Sequence, residues 1–143
     1  MDIQTVLAVT IWDRTADERF LSFDLTDILS LCGERALSSA WLCSNVEAIG
    51  PGAEKLHAIC DAQRTIAGIE LISLASGISQ TIDGYFYAWE PAADFPWLFI
   101  RAVDGEEFAV ATTEHELLEA IRRRFRDVRE SPLDADYLLR FRK

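Results

Sequence analysis

Two Asp-Gly pairs, Asp83-Gly84 and Asp104-Gly105, stand among the β-branched, aromatic and apolar residues between Ile78 and Thr112. An Asp-Gly pair between extended runs is the strongest short-range hairpin signal. A two-residue type I′ turn needs positive φ at both central positions, which Asp and Gly tolerate best. A two-residue loop at Asp104-Gly105 opposes Val103 to Glu106, Arg101 to Phe108 and Phe99 to Val110. It places Trp97, Phe99, Arg101, Val103, Phe108 and Val110 on one face, and Leu98, Ile100, Ala102, Ala109 and Ala111 on the other. Both faces are largely apolar, so the hairpin is expected to be central and covered on both sides. Asp83-Gly84 is either a second turn or a bulge inside one long strand. The expectation is a three- or four-stranded antiparallel meander over about residues 78–112.

The flanking sequence supplies further elements. Ile3–Trp12 and Ser39–Ala48 read as strands. FDLTDILSLCG reads as a short helix capped by Asp24 or Thr26 and stopped by Gly33. A helix from Ala53 carries Leu56, Ile59 and Cys60 at helical spacing. Residues 65–77 suit a helix or a buried strand, which periodicity cannot separate, with helix preferred. Thr113 and Glu116 match a capping box. They open a helix whose stripe of Leu117, Leu118, Ile121, Phe125 and Val128 runs on to Ser131-Pro132. Leu133, Tyr137, Leu138 and Phe141 are spaced for a short docking helix. The fold class is therefore α+β: the meander, extended by N-terminal strands, with helices packed on at least one face.

At 143 residues the chain fits a single globular domain, residues 1–143 with a basic C-terminal segment 131–143, large enough to bury a core without staples. No apolar run approaches the roughly 20 residues of a membrane helix, and the acidic start is unlike a signal peptide, so a cytoplasmic protein with no membrane contact is expected. Cys32, Cys43 and Cys60 are odd in number and widely spaced, which fits reduced, buried thiols better than a disulfide framework. The net charge of −10 is unevenly spread: residues 1–121 hold 6 Lys/Arg against 20 Asp/Glu, and residues 122–143 hold 8 against 4. An acidic body repels nucleic acid, so no nucleic-acid partner is expected; it favours a basic protein or peptide. The run RRRFRDVR reads as a self-paired helix face, with Glu119, Asp127 and Glu130 three or four residues from arginines.

Chemistry-bearing patterns are sparse. His57 and Cys60 form only half of a zinc pattern, and the expectation is no metal, with Cys60 buried and His57 exposed. There is no nucleophile elbow or phosphate loop, and His115 fits a solvated position in a capped turn. No catalytic residue and no cofactor are assigned, and a non-enzymatic protein is favoured over an enzyme. Seven of the fifteen aromatic residues lie between Tyr85 and Phe99. Cross-strand aromatic packing explains most such clusters. Tyr85, Tyr87 and Trp89 nevertheless alternate on one strand, with polar atoms that need partners if buried. Arg101 can stack on Trp97 or Phe99, or present its fork to an anion. The candidate partner-binding residues are Tyr85, Tyr87, Trp89, Trp97 and Arg101.

The leading expectation is a soluble binding or regulatory protein that uses the aromatic sheet face or the acidic body to contact a protein or peptide. The alternative is a small-molecule site or enzyme around Arg101 and the Tyr85/Tyr87/Trp89 strand. Self-association as a homodimer, the basic C-terminal segment of one chain on the acidic body of another, is a third expectation.

Overall fold

The computed structural model describes residues 7–130. In chain order the elements are β1 (Leu7–Ile11), α1 (Leu25–Leu31), α2 (Gly33–Ser38), β2 (Ala40–Ile49), α3 (Ala53–Asp61) and β3 (Ile66–Ala67). They continue with α4 (Gly68–Ala75), β4 (Gln80–Trp89), β5 (Leu98–Val103), β6 (Glu107–Thr112), α5 (His115–Arg124) and β7 (Val128–Glu130). The strands form one antiparallel sheet in the order β3-β2-β4-β5-β6-β1-β7. The α+β class and the meander are both present, with β4, β5 and β6 at the centre of the sheet. The C-terminal docking helix expected from Leu133 lies outside the described residues.

Buried side chains of all five helices share one core with one face of the sheet. Ile28 and Leu29 of α1, Leu56 of α3, Leu71 of α4 and Ile121 of α5 belong to the same cluster as Trp41, Phe86, Ile100, Phe108 and Val110. A second, smaller cluster lies on the opposite face and is built, among the described residues, from strand side chains alone: Ala8, Tyr87, Trp89, Phe99 and Ala111.

The β5–β6 loop corrects the expected register. Asp104 and Gly105 do take positive φ, 52° and 68°, and the Glu106 amide donates to the Val103 carbonyl at 2.9 Å. Glu106 stays out of the ladder, however, and the first pair is Val103 with Glu107. The turn is pinned from β4, where Asp83 Oδ1 accepts from the Asp104 amide at 3.0 Å and Ile82 O accepts from the Gly105 amide at 2.8 Å. One extra loop residue turns every β6 side chain over. Arg101 consequently faces Ala109 rather than Phe108, and Phe99 faces Ala111. Phe108 and Val110 join the helix-side core.

Gly84 lies inside a continuous β4, and the irregularity belongs to β2. The pairing passes from Ser44–Tyr85 to Glu47–Asp83, so Asn45 and Val46 bulge opposite Gly84. A Cβ at Gly84 would stand 2.7 Å from the Phe86 ring, a contact only glycine avoids.

The helices differ from the expected spans at three places. Gly33, at φ 65°, follows the end of α1 and its Cys32 cap as expected, but it also opens α2, which the sequence reading missed. Residues 68–75 are helical as preferred, but Ile66–Ala67 pair with β2 instead of opening the helix. The Thr113 capping box does not form; Thr112 Oγ1 accepts from the Glu114 amide at 3.0 Å, and α5 starts without a side-chain cap.

The last of these helices also ends earlier than its stripe suggests, at Arg124. Val128 is a strand residue. The cause is tertiary. The Asp13 carboxylate accepts from the Arg126 amide at 2.9 Å and the Asp127 amide at 2.6 Å, while the Trp12 amide donates to Asp127 O at 2.9 Å. These bonds draw the chain out of the helix and onto β1.

Asp13 is 8% exposed, and removing its carboxylate takes away the charged acceptor of two backbone amides. Hydrogen bonds to charged acceptors are worth about 1.5–3 kcal/mol. Asp13→Ala is expected to lower unfolding free energy by about 2–3 kcal/mol in urea titration, with Asp13→Asn intermediate.

Candidate functional site

The face of the sheet turned away from the helices reads as successive rows across the strands. One row runs Leu42, Tyr87, Phe99, Ala111 and Ala8. The next runs Ser44, Tyr85, Arg101, Ala109, Thr10 and Arg129. The first row is mostly buried and apolar. The second is mixed, with Tyr85 and Arg101 half-buried between small neighbours. The alanines that the register places on this side leave room for the aromatic rings of β4 and β5.

Within this face Tyr87 stacks on Phe99 with centroids 4.6 Å apart and planes at 13°. Tyr85 lies 6.0 Å from Phe99 and Tyr87 lies 6.1 Å from Trp89. Stacked pairs of this kind add about 0.5–1.5 kcal/mol beyond their burial. The Arg101 guanidinium sits 5.3 Å from the Tyr85 ring centroid and forms no ion pair with a described residue. The closest carboxylates by register are diagonal: Asp83 on β4, engaged with the Asp104 amide, and Glu107 on β6. The Trp89 indole nitrogen is buried without an acceptor among the described residues.

Four of the five expected residues thus share one face: Tyr85, Tyr87, Trp89 and Arg101. Tyr87 and Trp89 are buried at 2% and 4% exposure, and the accessible part of the group is Tyr85 with Arg101. Trp97 is elsewhere. Its ring enters the helix-side core, where Nε1 donates to Ser39 Oγ at 2.9 Å. Arg35 covers that ring at 4.2 Å and reaches Glu114 at 3.1 Å as well as Glu90. Four chain segments meet in this network, and no local pattern marks Arg35 for it.

His57 is half-buried rather than exposed, and its Nε2 accepts from the Ala48 amide at 3.1 Å. Among the described residues no three His, Cys, Asp or Glu side chains converge as metal ligands. His115 is exposed in the first turn of α5. The arginine run is not self-paired along its helix: Arg126 and Asp127 lie beyond α5, Arg124 reaches Asp27 of α1 at 3.8 Å, and Arg129 pairs with Asp127 at 3.0 Å. No helix of the described residues is long and apolar enough to cross a membrane.

Two open clefts were not foreseen. One, of about 350 Å³, is lined by Phe20, Phe23, Asp24, Gln80, Thr81 and Gly105 among others. The other, of about 320 Å³, lies beside Trp12, Asp13, Arg14 and Arg126. Comparison of the chain with protein-family models, with curated proteins and with solved structures returns no match.

All three cysteines are buried and free. Burial, helped by the nearby Glu114 carboxylate, pushes the Cys32 thiol up to about 12. Cys43 donates to Cys60, which together with burial holds Cys43 protonated; the same hydrogen bond pulls Cys60 down. A raised thiol value means the folded state keeps its proton after the unfolded chain has lost it, so stability falls as pH climbs above the unfolded value toward about 12. Urea midpoints measured at rising alkaline pH should therefore decline less steeply in Cys32→Ala than in the unsubstituted protein.

Proposed function

We propose that this is a non-enzymatic binding protein that contacts a protein or peptide partner through Tyr85 and Arg101, on the sheet face that carries no helix among the described residues. The observation that supports the reading is Arg101 itself: a half-buried guanidinium 5.3 Å from the Tyr85 ring centroid, flanked by small side chains, with no ion pair to a described residue. The neighbouring ring limits the freedom of the guanidinium, whose fork can hold a carboxylate with two parallel bonds. The acidic body sets a second requirement. A chain of net charge −10 attracts a partner that is basic overall. The partner that meets both conditions is a basic protein or peptide presenting one carboxylate to Arg101. A reducing, cytoplasmic setting is part of this reading, since Cys32, Cys43 and Cys60 are free thiols.

Amide chemical-shift titration tests it with a lysine-rich peptide carrying one central Glu, compared with the same peptide carrying Gln. The Glu peptide is expected to perturb Ser44, Tyr85, Arg101 and Ala109 and to bind about tenfold more tightly, the factor that a charge-assisted bond of about 1.4 kcal/mol supplies. Arg101→Gln should erase the difference while leaving the salt-dependent attraction of both peptides. Equal binding of the two peptides, or a difference that survives Arg101→Gln, would leave the acidic body alone as the contact surface.

A further inference from the structure

We propose a second, independent binding site, for a neutral saccharide, in the cleft beside Phe20. Its volume of about 350 Å³ lies at the small end of ligand pockets, which run from roughly 300 to 1,000 Å³ and so set the ligand at one or two sugar rings. Phe20 stands at the cleft with 56% of its surface exposed, the most exposed aromatic among the large hydrophobic residues that reach solvent. It is not on a loose loop. Residues 14–21 close on themselves through the Arg14–Leu21 bridge, the Thr15 amide donating to Phe20 O at 2.8 Å, and Thr15 Oγ1 donating to Asp17 at 2.6 Å.

The two walls of the cleft are also tied together. Arg14 donates to Glu106 O at 2.9 Å, joining the Phe20 hairpin to the β5–β6 loop. Asp24, which caps α1, takes the Thr81 amide at 2.9 Å and the Thr81 hydroxyl at 2.6 Å, joining α1 to β4. Such a cleft is preformed, so a ligand entering it pays little to order the protein.

The lining chemistry selects the ligand class. Among the described residues no Lys, Arg or His lines the cleft, which gives an anion nothing there to pair with. Asp24 is the one charged residue among the described lining, and its carboxylate is already held by the Leu25 amide and both Thr81 donors. Ser22, Ser79 and Gln80 remain, each able both to donate and to accept, with no side-chain hydrogen bond to a described residue. Hydroxyl groups around a sugar ring match that mixture. The electron-rich face of Phe20 suits the C–H face of the same ring, whose hydrogens carry partial positive charge.

The test is an amide chemical-shift titration of the full chain with methyl glucoside, methyl galactoside, N-acetylglucosamine and their disaccharides, with benzamide as a non-sugar ring. At least one sugar is expected to shift Phe20, Ser22, Gln80 and Gly105 saturably, with a Kd near the millimolar range typical of small shallow sites, about 4 kcal/mol of binding. Phe20→Ala and Gln80→Ala should each weaken it by about tenfold, with melting temperature unchanged because both side chains lie outside the core. The proposal is overturned if no sugar shifts these residues, if Phe20→Ala binds as tightly as before, or if benzamide binds there as well as any sugar.

Discussion

Pairing Val103 with Glu107 across the Asp104-Gly105-Glu106 loop decides how the two faces of the sheet are furnished. In this register Phe108 and Val110 meet the helices, and Ala109 and Ala111 lie beside Arg101 and Phe99. The other register would exchange them, bringing two large side chains against the Tyr87–Phe99 stack and leaving alanines to fill the space under α1 and α5. Core positions lose about 2–5 kcal/mol for each large-to-small exchange, so the two exchanges of a wrong register would cost about 4–10 kcal/mol, comparable to a domain's usual margin of about 5–15 kcal/mol. The bonds from β4 to the turn, through Asp83 and Ile82, are small by comparison. They place the turn; the packing behind it selects the register.

Around that centre, three side chains add ties beyond the sheet's own ladder. Asp24 joins α1 to β4 through Thr81, Asp13 joins the end of β1 to the chain leaving α5, and Arg35 joins α2 to Glu90 and Glu114. Their energetic weight differs. Asp13 supplies a charged acceptor to two backbone amides. Arg35 is about one-third exposed, where ion pairs contribute roughly 0–1 kcal/mol. The Trp97 ring it covers is 3% exposed, and truncating a buried tryptophan costs about 3–5 kcal/mol. The indole, rather than the ion pairs, holds that end of the sheet, and Arg35 acts mainly as its lid.

Local features were legible from sequence where the cause is local. Asp24 announces α1, Asp104-Gly105 announces a turn, and the alternation of Tyr85, Tyr87 and Trp89 announces one shared face. What could not be read depends on residues distant in the chain. An Asp-Gly pair signals a turn without fixing whether two or three residues lie in the loop, since that choice is made by the packing of both faces. The end of α5 is set by a carboxylate 113 residues earlier in the chain. Trp97 was grouped with Phe99 and Arg101 by strand alternation, yet its ring packs among helices because Ser39 and Arg35 receive it there. The candidate site was legible as a face but not as a surface: composition does not tell that Tyr87 and Phe99 are buried while Tyr85 and Arg101 reach solvent.

That gradient of burial limits what the proposed contact can be. A stable protein interface covers roughly 800 Å² on each partner, far more than one tyrosine and one arginine expose. Tyr85 and Arg101 can therefore serve only as an anchor, with the rest of the contact spread over neighbouring polar rows such as the one containing Asp83 and Glu107. Anchoring suits them physically. The guanidinium is supported by the Tyr85 ring, and that ring in turn lies beside Phe99, which is fully buried. An arginine held in this way gives up less freedom when a carboxylate arrives than one waving in solvent. The surrounding acids, too dispersed to fix a geometry, still favour the approach of a basic chain, so attraction at a distance and selection at contact are assigned to different residues.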